Sequence, residues 1–174
     1  MNKISDRLER LAESATLAMA RKSREFISRG IDVISLSLGE PDFDTPDFIK
    51  EAAKKAIDDN FSHYTPVPGL VDLRQSIAQK FKRDNNLDFT TDQIVVSTGA
   101  KQSLANVCLS LLNKDDEVLL PCPYWVSYAE IIKIAEALPV KIESDISNDF
   151  KVTVEQLENA ITSKTRMLMF SSPC

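Results

Sequence analysis

The chain of 174 residues is poor in cysteine and histidine, with Cys108, Cys122, Cys174 and His63 as its full set. The cysteines are far apart and form no Cys-x-x-Cys pair, which argues against a disulfide framework and against a zinc site. Such usage fits a reducing, cytoplasmic setting. No apolar run approaches the ~20 residues of a membrane-spanning helix. Met1-Asn2-Lys3-Ile4-Ser5-Asp6-Arg7 lacks the apolar centre of a signal peptide. The net charge is −5 and there is no long basic run, so nucleic acid is not expected as a principal partner. Neither Gly-x-Gly-x-x-Gly nor Gly-Lys-Ser/Thr occurs, which disfavours a nucleotide-binding domain built on such a loop. What is present is an ordinary globular composition, 43% hydrophobic, at a length suited to one domain.

Helical and strand patterns alternate along the chain. Ser14 is placed to cap a helix with apolar positions at Leu17, Met19, Ala20, Phe26 and Ile27, closed by Gly30 just past its end. Ile31 to Leu38 reads as a short strand. Thr45-Pro46-Asp47 predicts a helix start, with Thr45 as cap, Pro46 at the first position and an acid in the first turn, running to about Asn60. A loop with Pro66, Pro68 and Gly69 follows. The next predicted helix covers Val71 to Asn85, with Leu73, Ile77 and Phe81 on one face. From Gln93 the rhythm becomes βαβαβαβ. Strands are predicted at Ile94–Ser97, Glu117–Leu120, Val140–Ile142 and Arg166–Ser171. Helices are predicted at Ala100–Leu112, Trp125–Ala137 and Val154–Ile161. This alternation implies an α/β fold with a mostly parallel sheet flanked by helices, whose ligands gather beyond the carboxyl ends of the strands.

One corner stands out. Ile94-Val95-Val96-Ser97-Thr98-Gly99-Ala100-Lys101 reads as a strand, a glycine turn and the opening of a helix. A helix start presents unpaired N–H groups and the positive end of the helix dipole, a natural place for phosphate. Gly99 lets the backbone come close to an anion and Lys101 adds a full charge. The residues alone leave two readings open: this phosphate cup, or an ordinary βα corner with a surface lysine.

Four separated stretches, in order, bear on that choice. They are Leu38-Gly39-Glu40-Pro41-Asp42-Phe43-Asp44-Thr45-Pro46, His63-Tyr64-Thr65-Pro66 with Gly69, Ser97-Thr98-Gly99-Ala100-Lys101-Gln102, and Pro121-Cys122-Pro123-Tyr124-Trp125-Val126-Ser127-Tyr128. Their order and spacing resemble the fold-type I, class I aminotransferases, and within them the bacterial aspartate aminotransferases whose branch includes aspartate/prephenate enzymes. The resemblance implies a PLP-dependent transferase fold and amino-group transfer on pyridoxal 5′-phosphate (PLP). Residues 1–46 would be the N-terminal arm and a small-domain segment, and 47–174 the first part of an incomplete large domain.

By the same resemblance Gly99, Ala100 and Lys101 form a wall of the cofactor's phosphate cup. Trp125 stacks on its ring and borders the substrate, where its residue type alone would better suit a core aromatic at a helix start. Tyr64 reaches the phosphate of the second subunit in a homodimer; alone it reads equally as a loop tyrosine against Pro66. Gly39 offers its N–H to the substrate α-carboxylate; alone it is a turn glycine. Glu40, Asp42 and Asp44 read as loop acids, not as an acid–base cluster, and His63 takes no role. Amino acids and 2-oxo acids are the implied partners. Where the branch often has Lys-Pro before Ser-Ala-Thr, this chain has Ala12-Glu13, which weakens a bulky dicarboxylate such as prephenate more than aspartate or glutamate. Alanine or aromatic donors stay open, as does a non-catalytic phosphate-binding or partner-pairing module.

The family's remaining groups follow the strand that ends at Pro173-Cys174: an Asn for the phenolic oxygen, an Asp for the pyridine nitrogen, the Schiff-base lysine and an arginine clamp. Lys101, beside the phosphate, would sit too far from the aldehyde to replace that lysine. The 174 residues alone are therefore expected to be inactive and to bind PLP weakly and non-covalently. The first strand is expected to lie away from the other three in the family sheet, leaving open apolar edges and an aggregation-prone chain. A sharp two-state melt from a monomer would count against that.

Overall fold

The structure, a computed structural model, describes residues 4–36 and 38–172. The chain divides into two compact units, Met1–Leu38 with Leu104–Cys174, and Gly39–Ser103.

The first unit is built on a parallel sheet of three strands: β1 (Glu117–Pro121), β2 (Leu138–Ile142) and β3 (Thr165–Leu168), in the order β2-β1-β3. Val118, Leu119 and Leu120 are buried in succession, as a central parallel strand covered on both faces requires. Leu119 pairs with Val140 on one side and Leu168 on the other. The connections carry helices α6 (Ser127–Ile134) and α7 (Val154–Ala160), the βαβ arrangement predicted from the alternation. Ala129, Ile131 and Ile132 of α6 join Cys108, Leu112, Val118, Leu120, Ala135, Ala137 and Met169 in one core. Cys108 and Leu112 come from α5 (Ala100–Leu111) and the residue after it. Helix α7 opens on a reciprocal cap. The Gln156 amide donates to the Thr153 hydroxyl at 3.1 Å and the Thr153 amide donates to Gln156 Oε1 at 2.8 Å.

The same unit holds α1 (Asp6–Glu9), which the sequence does not suggest, and α2 (Ala15–Ser28). Ser14 caps α2 as predicted, accepting from the Leu17 amide. Gly30, at φ +79°, closes it, its amide bonding the Ile27 carbonyl and that of Ile31 reaching Phe26.

The second unit holds α3 (Asp47–Asp58) and α4 (Val71–Asn85). Pro46 stands at the cap of α3, one place earlier than the predicted first helical position, because its carbonyl takes the Ile49 and Lys50 amides. Arg74 of α4 ties two loops together through the Gly69 carbonyl at 3.2 Å and the Thr91 carbonyl at 2.7 Å.

Two predicted strands do not form. Ile94–Ser97 is extended, with Ile94 buried, but among the described residues its one backbone tie to a distant segment is the Val96 amide to the Pro68 carbonyl at 3.0 Å. An extended segment is a strand only when a neighbour supplies a ladder, and none of the described residues does so here. Ile31–Leu38 likewise forms no strand over its described part, and Ser37 lies outside the described residues. The predicted Arg166–Ser171 strand is confined to β3, and the predicted Trp125–Ala137 helix starts two residues later, at Ser127.

Gly69 has a positive φ of +101°, and a Cβ there would lie 2.8 Å from Cγ2 of Val96. Gly69→Ala is therefore expected to destabilise this unit by about 2–3 kcal/mol, from backbone strain and the clash together. Urea denaturation against the parent chain checks it; an unchanged midpoint would contradict the assignment.

Candidate cofactor-binding site

In the second unit the glycine corner folds into a compact turn at the start of α5. Gly99 sits at φ +87°, donates its amide to the Ser97 carbonyl at 2.8 Å, and accepts at its carbonyl from the Gln102 amide at 3.1 Å and the Ser103 amide at 3.4 Å. The Gln102 side chain turns back to accept from the Thr98 amide. The start of α5 is the positive end of its helix dipole. Its first turn carries no acid, the residue type that usually offsets the positive end of the dipole, and instead carries Lys101. The space where a Cβ of Gly99 would stand is open to 4 Å. The result is an exposed glycine turn with a lysine at the positive end of a helix dipole.

Gly39 and Tyr64 also belong to this unit. Both are exposed, and Tyr64 is 108% accessible, so the loop tyrosine does not pack on Pro66. Among the described residues no backbone hydrogen bond joins either of them to the Gly99 turn. Glu40, Asp42, Asp44 and His63 lie exposed in loops. Among the described residues no group of His, Cys, Asp or Glu could hold a metal ion.

In the first unit, the carboxyl end of β1 runs through Cys122 and a cis-Pro123 to Tyr124 and Trp125, which lead into α6. Trp125 meets Tyr128 edge to face, 5.5 Å between centroids and 89° between planes, and stays 40% exposed. The perpendicular contact with Tyr128 helps to fix the indole. The Tyr128 hydroxyl bonds the Ser171 hydroxyl at 3.0 Å, joining the loop after β1 to the residues after β3. Lys141 lies 5.9 Å over the Tyr124 ring, and its bond to the Tyr124 hydroxyl holds its ammonium above the usual lysine range. Burial pushes the Cys108 thiol up, and burial together with the Glu143 charge does the same at Cys122, so neither is poised as a nucleophile.

The Tyr128–Ser171 pair has no role that the sequence alone assigns, although Tyr128 lies within the fourth stretch. A contact 43 residues apart in the chain leaves no local signal; only the parallel pairing of β1 with β3 brings it about.

The first unit carries aromatics beyond the carboxyl end of a parallel strand, where ligands of α/β proteins gather, and the second carries a glycine turn that opens a helix. The sequence matches the family described as Aminotransferase class I and II over residues 31–174. It is 49% identical over 173 residues to a protein of Rickettsia felis named probable aspartate/prephenate aminotransferase, an alignment covering 99% of this chain and 42% of that one. Identity to the aspartate aminotransferase of Bacillus subtilis is 46% over 171 residues, 98% of this chain and 44% of the relative. Among solved structures, the aspartate aminotransferase from Rhizobium meliloti superposes with a TM-score of 0.91 at 40% identity, over 97% of this chain and 42% of the other. The Thermus thermophilus aspartate aminotransferase with maleate gives 0.91 at 38% identity, over 97% and 44%. The chain belongs to the class I and II aminotransferase family. It spans less than half the length of these relatives.

Proposed function

We propose that the chain supplies the phosphate-holding and ring-stacking groups of a PLP site in a cytoplasmic, homodimeric aminotransferase that transfers the amino group of aspartate to 2-oxoglutarate. The observation that carries the proposal is the Gly99 turn. Its positive φ, the open space at its Cα and the acid-free first turn of α5 suit a dianionic phosphate. The donor set fits the cofactor: backbone amides and an ammonium for the phosphate, and a half-exposed indole for the ring.

In this reading the amides of Ala100 and Lys101, with the Lys101 ammonium, hold the phosphate. Trp125, fixed by Tyr128, covers one face of the ring, orients it and excludes water. Tyr64 donates its hydroxyl to the phosphate held by a second copy of the chain, which accounts for a tyrosine left fully exposed. The Gly39 amide receives the substrate α-carboxylate. When bound, PLP supplies the electron sink through which an amino group passes between an amino acid and a 2-oxo acid. Residues 1–46 then form the arm and a small-domain segment, and 47–174 the start of the large domain. The names of the relatives support a dicarboxylic amino acid as donor. Ala12-Glu13 in the arm favours aspartate over prephenate chemistry.

No proton-moving group is assigned among these residues, and the 174-residue chain by itself is expected not to turn over aspartate and 2-oxoglutarate. Turnover by the purified chain would contradict that. The phosphate assignment is tested by calorimetric titration with pyridoxine 5′-phosphate, which lacks the aldehyde and so cannot react with surface lysines. Lys101→Ala is expected to weaken binding about tenfold, the scale of one charge-assisted hydrogen bond. Equal affinity in parent and variant would remove Lys101 from the site.

A further inference from the structure

The N-terminal arm is fastened to the helix that carries the aromatic cluster. The Ala12 amide donates to Glu130 Oε2 of α6 at 3.0 Å, and the other oxygen of the same carboxylate accepts from Lys133 Nζ at 2.8 Å. Further along the chain, just past α6, Glu136 lies 3.8 Å from the Arg7 guanidinium of α1, and α1 packs against α6. Glu130 is only partly exposed. The link bridges 118 positions of sequence and joins a segment without regular structure to a helix held in the core by Ala129, Ile131 and Ile132. On that helix Glu130 lies two residues beyond Tyr128, whose ring supports Trp125 and whose hydroxyl reaches Ser171.

We propose that Glu130 is a positioning residue: it latches the arm at Ala12 onto α6 and thereby couples the arm to the seating of Trp125. Two features favour a built contact over a chance surface pair. Lys133 fixes the carboxylate, so the acceptor is oriented before the arm arrives. The partner is a backbone amide, so the latch is indifferent to the side chain at position 12. Burial alone would raise the Glu130 carboxyl, but the bonds from Lys133 and the Ala12 amide, with the Lys133 charge, leave it below the usual glutamate range. It is therefore an ionised acceptor at neutral pH. The functional consequence rests on the reading of Trp125 as the ring-stacking residue; the latch itself does not.

The test uses the 174-residue chain and three variants. Glu130→Ala removes the acceptor, Glu130→Gln keeps an acceptor without the charge, and Ala12→Pro removes the donor while leaving α6 untouched. Hydrogen exchange of residues 8–14 and the emission of Trp125, the sole tryptophan, are read in each. Arm exchange is expected to quicken about tenfold in Glu130→Ala and Ala12→Pro, to stay within about threefold of the parent in Glu130→Gln, and to be accompanied by a shift in Trp125 emission in the first two. Unchanged arm exchange in Ala12→Pro overturns the latch, even should Glu130→Ala fail to fold. Faster arm exchange with unmoved Trp125 emission overturns the coupling. Titration of the same variants with pyridoxine 5′-phosphate separates the two readings, because absence of binding in the parent chain counts against the PLP site and leaves the exchange result standing.

Discussion

Leu120→Ala is expected to lower the stability of the sheet-bearing unit by about 3–5 kcal/mol, the range for removing a fully buried leucine from a core that cannot collapse around the gap. Leu120 is 0% exposed, in the central strand β1, where both faces are covered. Strands β2 and β3 flank it and the α6 residues Ile131 and Ile132 share its core. There is little freedom to relax, because close-packed interiors respond to the loss of even a few methylenes. Domain stabilities are of order 5–15 kcal/mol, so this one change removes a large share of the total. Leu168→Ala, in the flanking strand β3 and 44% exposed, is the control and is expected to cost about 1 kcal/mol. Urea unfolding followed by far-ultraviolet circular dichroism measures both. Equal midpoints for the two variants would show that the core does not sit where the structure puts it.

Trp125→Ala is expected to weaken binding of pyridoxine 5′-phosphate about thirtyfold, and Trp125→Phe about threefold. The loss combines the apolar area that the indole covers on the ring with the extra attraction of a stacked aromatic pair, together about 2 kcal/mol. The phenyl ring keeps the stack and forfeits only area. The edge-on contact with Tyr128 matters to the size of the effect, since an indole held in place loses little freedom when the ligand arrives. Calorimetry is the suitable readout, because the substitution removes the only tryptophan. A Trp125→Ala chain that binds as the parent does would place the ring elsewhere.

Much of the fold is legible in the residues because the signals are local. Ser14 and Gly30 delimit α2 by chemistry contained within a few residues, and the apolar Val118-Leu119-Leu120 falls in β1, where a strand is predicted. The two predicted strands that do not form share one cause. Ile31–Leu38 and Ile94–Ser97 have the composition of strands, and composition reports a preference for extended backbone. Pairing needs a second segment, which can lie anywhere in sequence, and among the described residues neither segment joins a sheet. The same holds at the candidate site. The Gly99 turn is visible from Gly, Lys and the apolar run before it. The Tyr128–Ser171 bond and the Ala12–Glu130 link join residues 43 and 118 positions apart, and only the folded chain displays them. The motifs thus point to residues proposed to face a ligand, and include Tyr128, but do not show the distant contacts that hold them in place.

Recognition of a pyridoxal-type cofactor, its phosphate by the Gly99 turn and its ring by Trp125, is the proposal on which the functional reading depends. It is tested by titrating Trp125 emission, corrected for ligand absorbance, with pyridoxine 5′-phosphate and with pyridoxine. Such recognition predicts saturable quenching by the phosphate ester and affinity for pyridoxine weaker by about tenfold or more, the worth of at least one charge-assisted hydrogen bond. It also predicts loss of that difference in Gly99→Val, where a branched side chain meets a φ of +87° and fills the open side of the turn. Quenching that does not saturate, or that is the same with and without the phosphate, would contradict it.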